Sequence, residues 1–198
     1  EDKNGYSIVS HTGGMPGMLS HTVLIPELNA GIVVLTNTSP GSYAFISVMN
    51  EIMDAYLGAP DADWMGRIKG YLERSTGEAE EFVDNVWATC KLANTDHLKL
   101  DDYAGTYNDD WFGEVSIENR NGKLWFVSKR SPRLTGEMFF YQANTFAIKW
   151  EYREMNCDAF ASFTLDENGQ ATAIQMKGIS PNIDFSFDFH DLDLKRVD

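Results

Sequence analysis

The spacing of apolar positions changes twice along the chain of 198 residues, and each change predicts a different kind of structure. Short apolar runs separated by turn residues occupy the first part and predict antiparallel strands. Their expected bounds are residues 6–12, 17–25 and 31–37. A helical spacing follows, with a start signal at Ser39-Pro40 and stop signals at Gly58 and Pro60. We therefore expect a small sheet with one amphipathic helix against it.

The third of these strands carries the unbroken apolar run Ile32-Val33-Val34-Leu35. So short a run is typical of a strand that is buried on both faces. One helix covers one face only, so we expect further protein over the other face. Glu1 leads almost directly into a strand, which favours a protein that begins upstream of it.

Residues 61–99 keep a helical spacing of apolar side chains, and we expect them to connect two domains. Gly66, Gly70 and Gly77 lower the helix propensity of this segment and predict a break into two helices. Trp64 and Trp87 are expected to anchor packing.

From residue 100 onward, about eight short runs rich in aromatic and β-branched residues alternate with turn signals such as Asn121-Gly122 and Asn168-Gly169. This spacing predicts an up-and-down barrel or a sandwich. Alternation is clearest over residues 184–189, Asp-Phe-Ser-Phe-Asp-Phe, which we expect to form a half-buried strand. The side chains expected to fill the barrel are Phe139, Phe146, Trp150 and Phe163.

Charge narrows the classes of partner. The chain holds 30 acidic and 16 basic side chains, with a formal net charge of −14 spread over its whole length. Such a field repels phosphate backbones and anionic lipid, so we expect no nucleic-acid partner. No apolar run is long enough to span a bilayer, and we expect no membrane span in this chain.

The two cysteines, Cys90 and Cys157, are too few for a disulfide framework, and the sequence leaves open whether they pair or stay free. Neither has a histidine or second cysteine at metal-ligand spacing. Asp101-Asp102 and Asp109-Asp110 lack the regular spacing of a calcium loop and are expected to solvate turns. We expect no metal and no cofactor.

The segment His11-Thr12-Gly13-Gly14 lies where the first predicted strand ends and the chain turns back into the second. It resembles the third motif of the penicillin-recognising serine hydrolases, Lys-Thr-Gly on an edge strand, for which His-Thr-Gly is a frequent substitute. The strand end Leu35-Thr36-Asn37 and the closing helix match the last strands and C-terminal helix of that family. The resemblance covers residues 1–60.

The resemblance implies that His11, Thr12, Gly13 and Gly14 belong to a catalytic site. Gly14 would supply a backbone N–H to a tetrahedral oxyanion, because small residues at a strand edge let substrate lie alongside. His11 and Thr12 would line the pocket that faces the substrate carboxylate or leaving group, and His11 would bring a pH-dependent charge. The alternative is an ordinary strand that ends in a glycine turn. His21 on the second strand is expected to serve packing.

Two other motifs of that family are lacking, since neither Ser-x-x-Lys nor Tyr-x-Asn occurs anywhere in the sequence. The nucleophile, its activating lysine and the second base motif are therefore not in this chain. We expect a C-terminal fragment of a serine hydrolase of β-lactamase, D-amino-acid peptidase or esterase type, inactive by itself. The intact protein would form an acyl-enzyme through an N-terminal hydrolase domain.

Residues 100–198 resemble a lipocalin-like domain of uncharacterised role that often follows such hydrolases. The segments that carry this resemblance are Tyr103-Ala104-Gly105-Thr106-Tyr107, Leu134-Thr135-Gly136-Glu137, Asn144-Thr145-Phe146 and Asp184-Phe185-Ser186-Phe187.

The expected fold class is α+β. Residues 1–60 would form the C-terminal strands and closing helix of a β-lactamase-like sheet. Residues 61–99 would form a helical connector, and residues 100–198 an all-β, lipocalin-like, eight-stranded barrel.

Two functions of different classes stay open. In the first, the chain is part of an enzyme whose substrate is a small molecule such as a lactam, a peptide or an ester. In the second, it is a non-catalytic binding or gating module whose barrel holds a small apolar ligand or caps the hydrolase active site. We also expect self-association through residues 1–60, whose strands and helix would expose apolar surface. Family resemblance alone implies a bacterial periplasmic or extracellular location.

Overall fold

The computed structural model describes residues 2–3, 5–15, 17–38, 41–184 and 186–198. The chain forms two compact units, Glu1–Ser75 and Thr76–Asp198. Two α-helices, a small sheet and a closed barrel of eight strands give a mixed α+β protein, as the sequence predicts. Neither described helix is long and apolar enough to cross a bilayer.

The first unit is built on a three-stranded antiparallel sheet in which β4 lies between β3 and β5. Two short strands, β1 and β2, pair with each other ahead of it. The bounds are β1 Asp2–Lys3, β2 Tyr6–Ser7, β3 Val9–Met15, β4 Met18–Ile25 and β5 Ala30–Thr36. These three main strands correspond to the predicted ones to within a few residues.

Helix α1, Ser42–Leu57, covers one face of this sheet. Buried side chains from the sheet and the helix form the core between them, together with Ile8 just before β3; the others are Val23, Ile25, Ile32, Met49 and Met53. The helix ends at Gly58, which adopts a left-handed conformation with φ of 65° that a glycine accepts without strain. The predicted start signal, Ser39-Pro40, lies outside the described residues.

The expectation that β5 is buried on both faces is wrong for this chain. Ile32 is buried against α1, but Val33 and Leu35 point away from the helix and are 62% and 73% exposed. An apolar run buries both faces only where both faces have a partner, and α1 supplies only one.

The predicted break in the second helical segment does not occur. Helix α2 runs without interruption from Trp64 to Leu92. Each glycine costs a helix only about 1 kcal/mol relative to alanine, and the segment between Gly70 and Leu92 is rich in glutamate, alanine and other helix-favouring residues. A glycine in a helical pattern therefore lowers its stability without ending it.

The barrel is an up-and-down structure in which each strand pairs antiparallel with its neighbours in sequence and the last strand closes onto the first. Of the two predicted architectures, a barrel or a sandwich, the structure is therefore the barrel. The strands are β6 Gly105–Asp109, β7 Gly113–Asn119, β8 Leu124–Ser128, β9 Thr135–Gln142, β10 Thr145–Trp150, β11 Ala159–Leu165, β12 Ala171–Gly178 and β13 Leu194–Arg196.

The strand predicted at residues 184–189 is wrong, because none of the described residues 184 and 186–189 is in a strand: Ser186 lies in a turn and Phe189 begins a short 3-10 helix, Phe189–Asp191. The Asp184 carboxylate accepts hydrogen bonds from the backbone N–H and hydroxyl of Ser186, and Phe187 N–H bonds the Asp184 carbonyl. Side-chain-to-backbone bonds of this kind favour turns over strands. Phe185 lies outside the described residues, and the eighth strand of the barrel is β13.

The barrel interior is packed with aromatic side chains. Phe146, Trp150 and Phe163 are buried there as expected. Phe139 was expected inside the barrel, but it lies on the outer wall. Its ring meets Trp87 of α2 edge-on at 5.7 Å. Along β9 successive side chains alternate between the two faces, so the neighbouring Phe140 points inward instead.

The segment between α2 and β6 closes one end of the barrel. Leu98 and Leu100 pack against the core, and the Tyr103 ring meets Phe146 and Phe163 edge-on at 5.1 and 5.0 Å. The backbone carbonyl of Tyr103 accepts a hydrogen bond of 2.8 Å from the buried Tyr107 hydroxyl. This end is therefore tied down by both packing and hydrogen bonding.

Candidate functional site

The four residues of the His-Thr-Gly-Gly segment lie on β3, an edge strand that pairs with β4. Because side chains alternate along a strand, His11 and Gly13 face one side of the sheet, and Thr12 and Gly14 the other. The second side is the one that α1 covers. A ligand on the uncovered side can therefore meet the side chain of His11 but not that of Thr12.

The uncovered side of this sheet, here called the bare face, is apolar. Six large exposed side chains belong to it, namely Val9, Met15, Met18, Leu24, Val33 and Leu35. His11 lies among them on β3, opposite Thr22 of β4, and Val33 of β5 lies on the other side of Thr22. An exposed apolar area that surrounds a polar group is typical of an interaction surface or a binding site.

The His11 ring has a defined tautomer. Its Nδ1 lies 2.6 Å from the Thr12 carbonyl oxygen, so the proton on Nδ1 is donated to that oxygen. Nε2 of the neutral ring is then the nitrogen that can accept a proton or a hydrogen bond.

The two glycines leave little room for a side chain. A Cβ on Gly13 would lie 2.8 Å from the Ser20 hydroxyl oxygen, and one on Gly14 would lie 3.0 Å from a Leu19 methyl carbon. Ser20 also donates a hydrogen bond of 3.3 Å to the Gly13 carbonyl. A depression of about 330 Å³ next to this hairpin is lined by both glycines. The close approach of β4 gives these glycines a packing reason in addition to any catalytic one.

His21 lies on the covered side, directly opposite Thr12. Its ring meets Phe45 of α1 edge-on at 5.3 Å, and its Nδ1 is buried with no hydrogen-bond partner among the described residues. Desolvation lowers the pKa of His21, which keeps the ring neutral at pH 7. The structure thus gives His21 a packing environment.

The second candidate site is the open end of the barrel, here called the mouth. In an up-and-down barrel, alternate connections emerge at the same end. The connections that meet at the mouth are residues 110–112, 129–134, 151–158 and 179–193. They enclose a cavity of about 500 Å³.

Apolar side chains from all four connections form the walls of the mouth cavity, namely Trp111, Phe112, Leu134, Met155, Phe187 and Phe189. Phe187 stacks on Phe189 at 6.1 Å, and Phe189 stacks on the core residue Trp150 at 6.0 Å. The floor of the cavity is therefore continuous with the packed barrel interior. A volume and lining of this kind suit a small organic molecule.

Asp109 at the end of β6 anchors the mouth. One carboxylate oxygen accepts the backbone N–H groups of Trp111 and Phe112 at 2.9 and 2.6 Å, and the other accepts that of Asp193 at 2.8 Å. Desolvation raises the pKa of Asp109, but these hydrogen bonds outweigh it and hold the pKa below its usual value. Asp109 thus joins two of the mouth connections.

The backbone of Trp111 is held in place, although the residue is 73% exposed. Its N–H bonds Asp109, and its carbonyl accepts a 2.5 Å hydrogen bond from Arg130. A large aromatic side chain on a fixed backbone loses little conformational freedom when a ligand binds.

Two charged residues of opposite sign, Arg133 and Asp188, also line the mouth cavity. The Arg133 guanidinium lies over the Tyr152 ring, 4.6 Å from its centre. Among the described residues neither Arg133 nor Asp188 has an ion-pair partner. Both charges are thus available to a bound molecule.

The remaining candidates have structural surroundings. Cys90 and Cys157 are both free thiols, and desolvation raises their pKa values to about 11 and about 12. Asp101 accepts a hydrogen bond from the Asn119 amide and Asp102 from that of Gln170. No group of three or more metal-ligating side chains comes together in the part of the chain that the structure describes.

The sequence left open a ligand in the barrel but did not indicate which residues would form the mouth. Its residues come from four connections that are far apart in the chain, and no local motif links Trp111, Arg133 and Asp188. A usable signal exists in the order of the strands, because the connections of an up-and-down barrel alternate between its two ends. Counting every second connection would have brought these residues together.

Comparison with known proteins places this barrel in a family. Residues 90–196, more than half of the chain, match the model of a family described as a domain of unknown function, DUF3471. The chain belongs to this family. The DUF3471 region contains all eight strands of the barrel and the mouth cavity, and His11 to Gly14 lie outside it.

Three solved structures resemble the chain weakly. SurE crystallised with D-Leu has 13% identity and a TM-score of 0.40, with 96% of this chain and 35% of that chain covered. A second crystal structure of SurE has 11% identity and a TM-score of 0.38, with coverage of 95% and 34%. An octameric penicillin-binding protein homologue from Pyrococcus abyssi has 16% identity and a TM-score of 0.26, with coverage of 96% and 34%. The chain spans about a third of the length of each. No curated protein sequence matches it.

Proposed function

We propose that residues 1–60 are the C-terminal part of the catalytic domain of a serine hydrolase, related to the penicillin-recognising enzymes, and that this chain alone forms no acyl-enzyme. The bare face carries the proposal. It exposes an apolar surface around His11 on the side of the sheet that α1 leaves uncovered. A further part of a catalytic domain, with the nucleophile, would pack there.

In this proposal each of the four motif residues has a role that depends on its position on β3. The Gly14 amide stabilises the oxyanion of an acyl-transfer intermediate, and Gly13 keeps the strand edge open to substrate. His11 faces the substrate through Nε2, the ring nitrogen that is not bonded to the Thr12 carbonyl. Thr12, on the covered side, orients the His11 ring through its backbone carbonyl.

The substrate of the intact enzyme is an amide, peptide, lactam or ester, which are the groups that an acyl-enzyme mechanism cleaves. The location proposed with it is the bacterial periplasm or the exterior. Both statements rest on the family resemblance of His11-Thr12-Gly13-Gly14.

A covalent serine probe tests the proposal in the cells that make the protein. We expect a labelled species well above 22.3 kDa whose peptides include those of this chain and whose label lies on a serine of a Ser-x-x-Lys motif. Fractionation of the same cells then gives its location. A native product of 22.3 kDa that takes no label would contradict the proposal.

A substitution in the intact enzyme tests the glycine. Gly14→Val keeps the backbone N–H, but its side chain would press against the Leu19 methyl group 3.0 Å from the Cβ position and shift the strand edge. The displaced N–H should lower kcat by about 100-fold or more, the usual effect of losing one oxyanion donor. Ser10→Val is the matched control, since Ser10 lies on the same strand with an exposed side chain. Equal kinetics for the two variants would exclude an oxyanion role for Gly14.

A second candidate function is favoured by the mouth cavity. In it the DUF3471 barrel is a binding module that holds a small molecule with an apolar group between Trp111, Phe112 and Phe187. Calorimetric titration of the native chain with a neutral aromatic compound tests this candidate. The Trp111→Ala variant should bind it more weakly.

A further inference from the structure

We propose that the mouth of the barrel binds an apolar zwitterion, that is, a molecule that carries an ammonium, a carboxylate and an aromatic or branched apolar group. The inference rests on the binding-module function proposed above and names its ligand class. Free apolar amino acids and short apolar peptides share this chemistry.

The apolar part of the ligand follows from the walls. Trp111, Phe112, Leu134 and Phe187 present one apolar surface, and the Trp111 backbone is fixed by hydrogen bonds from two sides. A cavity of about 500 Å³ that opens to solvent accepts one such group and leaves the polar end of the ligand at the rim.

We infer the carboxylate of the ligand from Arg133, which can bind it. A cation over the face of an aromatic ring is attracted by the ring without using a hydrogen bond, and a guanidinium carries five N–H donors. Arg133 lies over the Tyr152 ring and makes no hydrogen bond to another described residue, so its donors are available for a carboxylate.

We infer the ammonium of the ligand from Asp188, which can pair with it. A ligand with a carboxylate alone would face this unpaired acid, in a chain whose net charge is −14. A ligand with an ammonium alone would face Arg133. A molecule with both charges satisfies both residues, and its net charge of zero avoids the repulsion between an anion and an acidic protein.

Four compounds with the same phenyl group separate these contributions. They are phenylalanine with both charges, 3-phenylpropionic acid with the carboxylate, phenethylamine with the ammonium, and 2-phenylethanol with neither. Calorimetric titration of the native chain should give phenylalanine an affinity about fivefold higher than either singly charged compound, as expected for charge pairs at a solvent-exposed rim. The dipeptide of two phenylalanines is titrated in the same way. If it binds more tightly than phenylalanine, the ligand is a short peptide; if it binds more weakly, the ligand is a free amino acid.

Variants assign each charge. Arg133→Met should bring phenylalanine down to the affinity of phenethylamine, and Asp188→Asn to that of phenylpropionic acid. Arg120→Met is the matched control, because Arg120 also lies over an aromatic ring, Trp125 at 4.9 Å, but in the turn between β7 and β8, which is not at the mouth. Its affinities should not change.

The outcomes separate this inference from the function on which it rests. Equal affinity for phenylalanine and phenylethanol overturns the zwitterion and leaves a binding module for neutral ligands. Tightest binding of a singly charged compound also overturns it. If none of the compounds binds the folded chain, both the zwitterion and the binding module fall.

Discussion

Asp109 shows how one carboxylate can determine the shape of a candidate site. Its three hydrogen bonds join β6, the Trp111 connection and the segment that leads into β13. An asparagine offers one acceptor oxygen and places N–H groups where the carboxylate accepts bonds. We expect Asp109→Asn to lower the free energy of unfolding by about 1.5–3 kcal/mol at pH 7, measured by urea denaturation.

The pH dependence of this effect has a defined sign. The pKa of Asp109 is lower in the folded chain than the value of about 3.9 usual for an unfolded one. Its contribution to stability is therefore fully present above that value and is lost as pH falls through the folded pKa. The difference between wild type and variant should shrink below about pH 4, whereas a difference independent of pH would contradict the argument. Asp110→Asn, at the exposed neighbour, is the control and should change stability by less than about 0.5 kcal/mol.

At the scale of elements, glycine has opposite effects in α2 and in the barrel. A Cβ on Gly77 would meet no atom within 4 Å, so Gly77→Ala should stabilise the chain by about 0.5–1 kcal/mol through helix propensity. A Cβ on Gly136 in β9 would lie 2.5 Å from the Lys149 carbonyl oxygen of β10. Gly136→Ala should therefore destabilise it by about 1–3 kcal/mol. Thermal unfolding followed by circular dichroism checks both, and a shift of the same sign for the two variants would refute the packing argument.

Elements whose formation depends on local chemistry could be predicted from the sequence. Asn121-Gly122 gives a tight hairpin turn, with φ of 55° and 79° and reciprocal backbone hydrogen bonds between Arg120 and Lys123. Alternation failed at residues 184–189, because Asp184 bonds the backbone of its own turn. Periodicity records which side chains are apolar, and short-range hydrogen bonds can override it.

The two candidate sites also differ in how far the sequence alone could predict them. His11-Thr12-Gly13-Gly14 is contiguous, so its position on an edge strand could be predicted, and only the division of the four residues between two faces needed the structure. The mouth depends on barrel closure, which brings Trp111 and Asp188 to one cavity from 77 positions apart in the chain (188 − 111). Long-range pairing of this kind leaves no local pattern.

At the scale of the whole molecule, the bare face is the feature that the fold leaves uncovered. It combines several large exposed apolar side chains on one sheet surface, and such a surface favours association with another apolar surface in water. We therefore expect the chain by itself to self-associate as its concentration rises, with a weight-average mass above 22.3 kDa in sedimentation experiments.

Lysine on the β5 side of the bare face should abolish this association. Val33 and Leu35 lie on β5 and are already exposed, so Val33→Lys with Leu35→Lys adds charge without disturbing the core against α1. The matched control is Val197→Lys, because Val197 is 61% exposed but follows the last strand of the barrel. The double variant should sediment as a monomer and the control should associate like wild type. A wild-type chain that stays monomeric at high concentration would show that the bare face does not bind a second copy, whereas association that the double variant retains would place the contact on another surface.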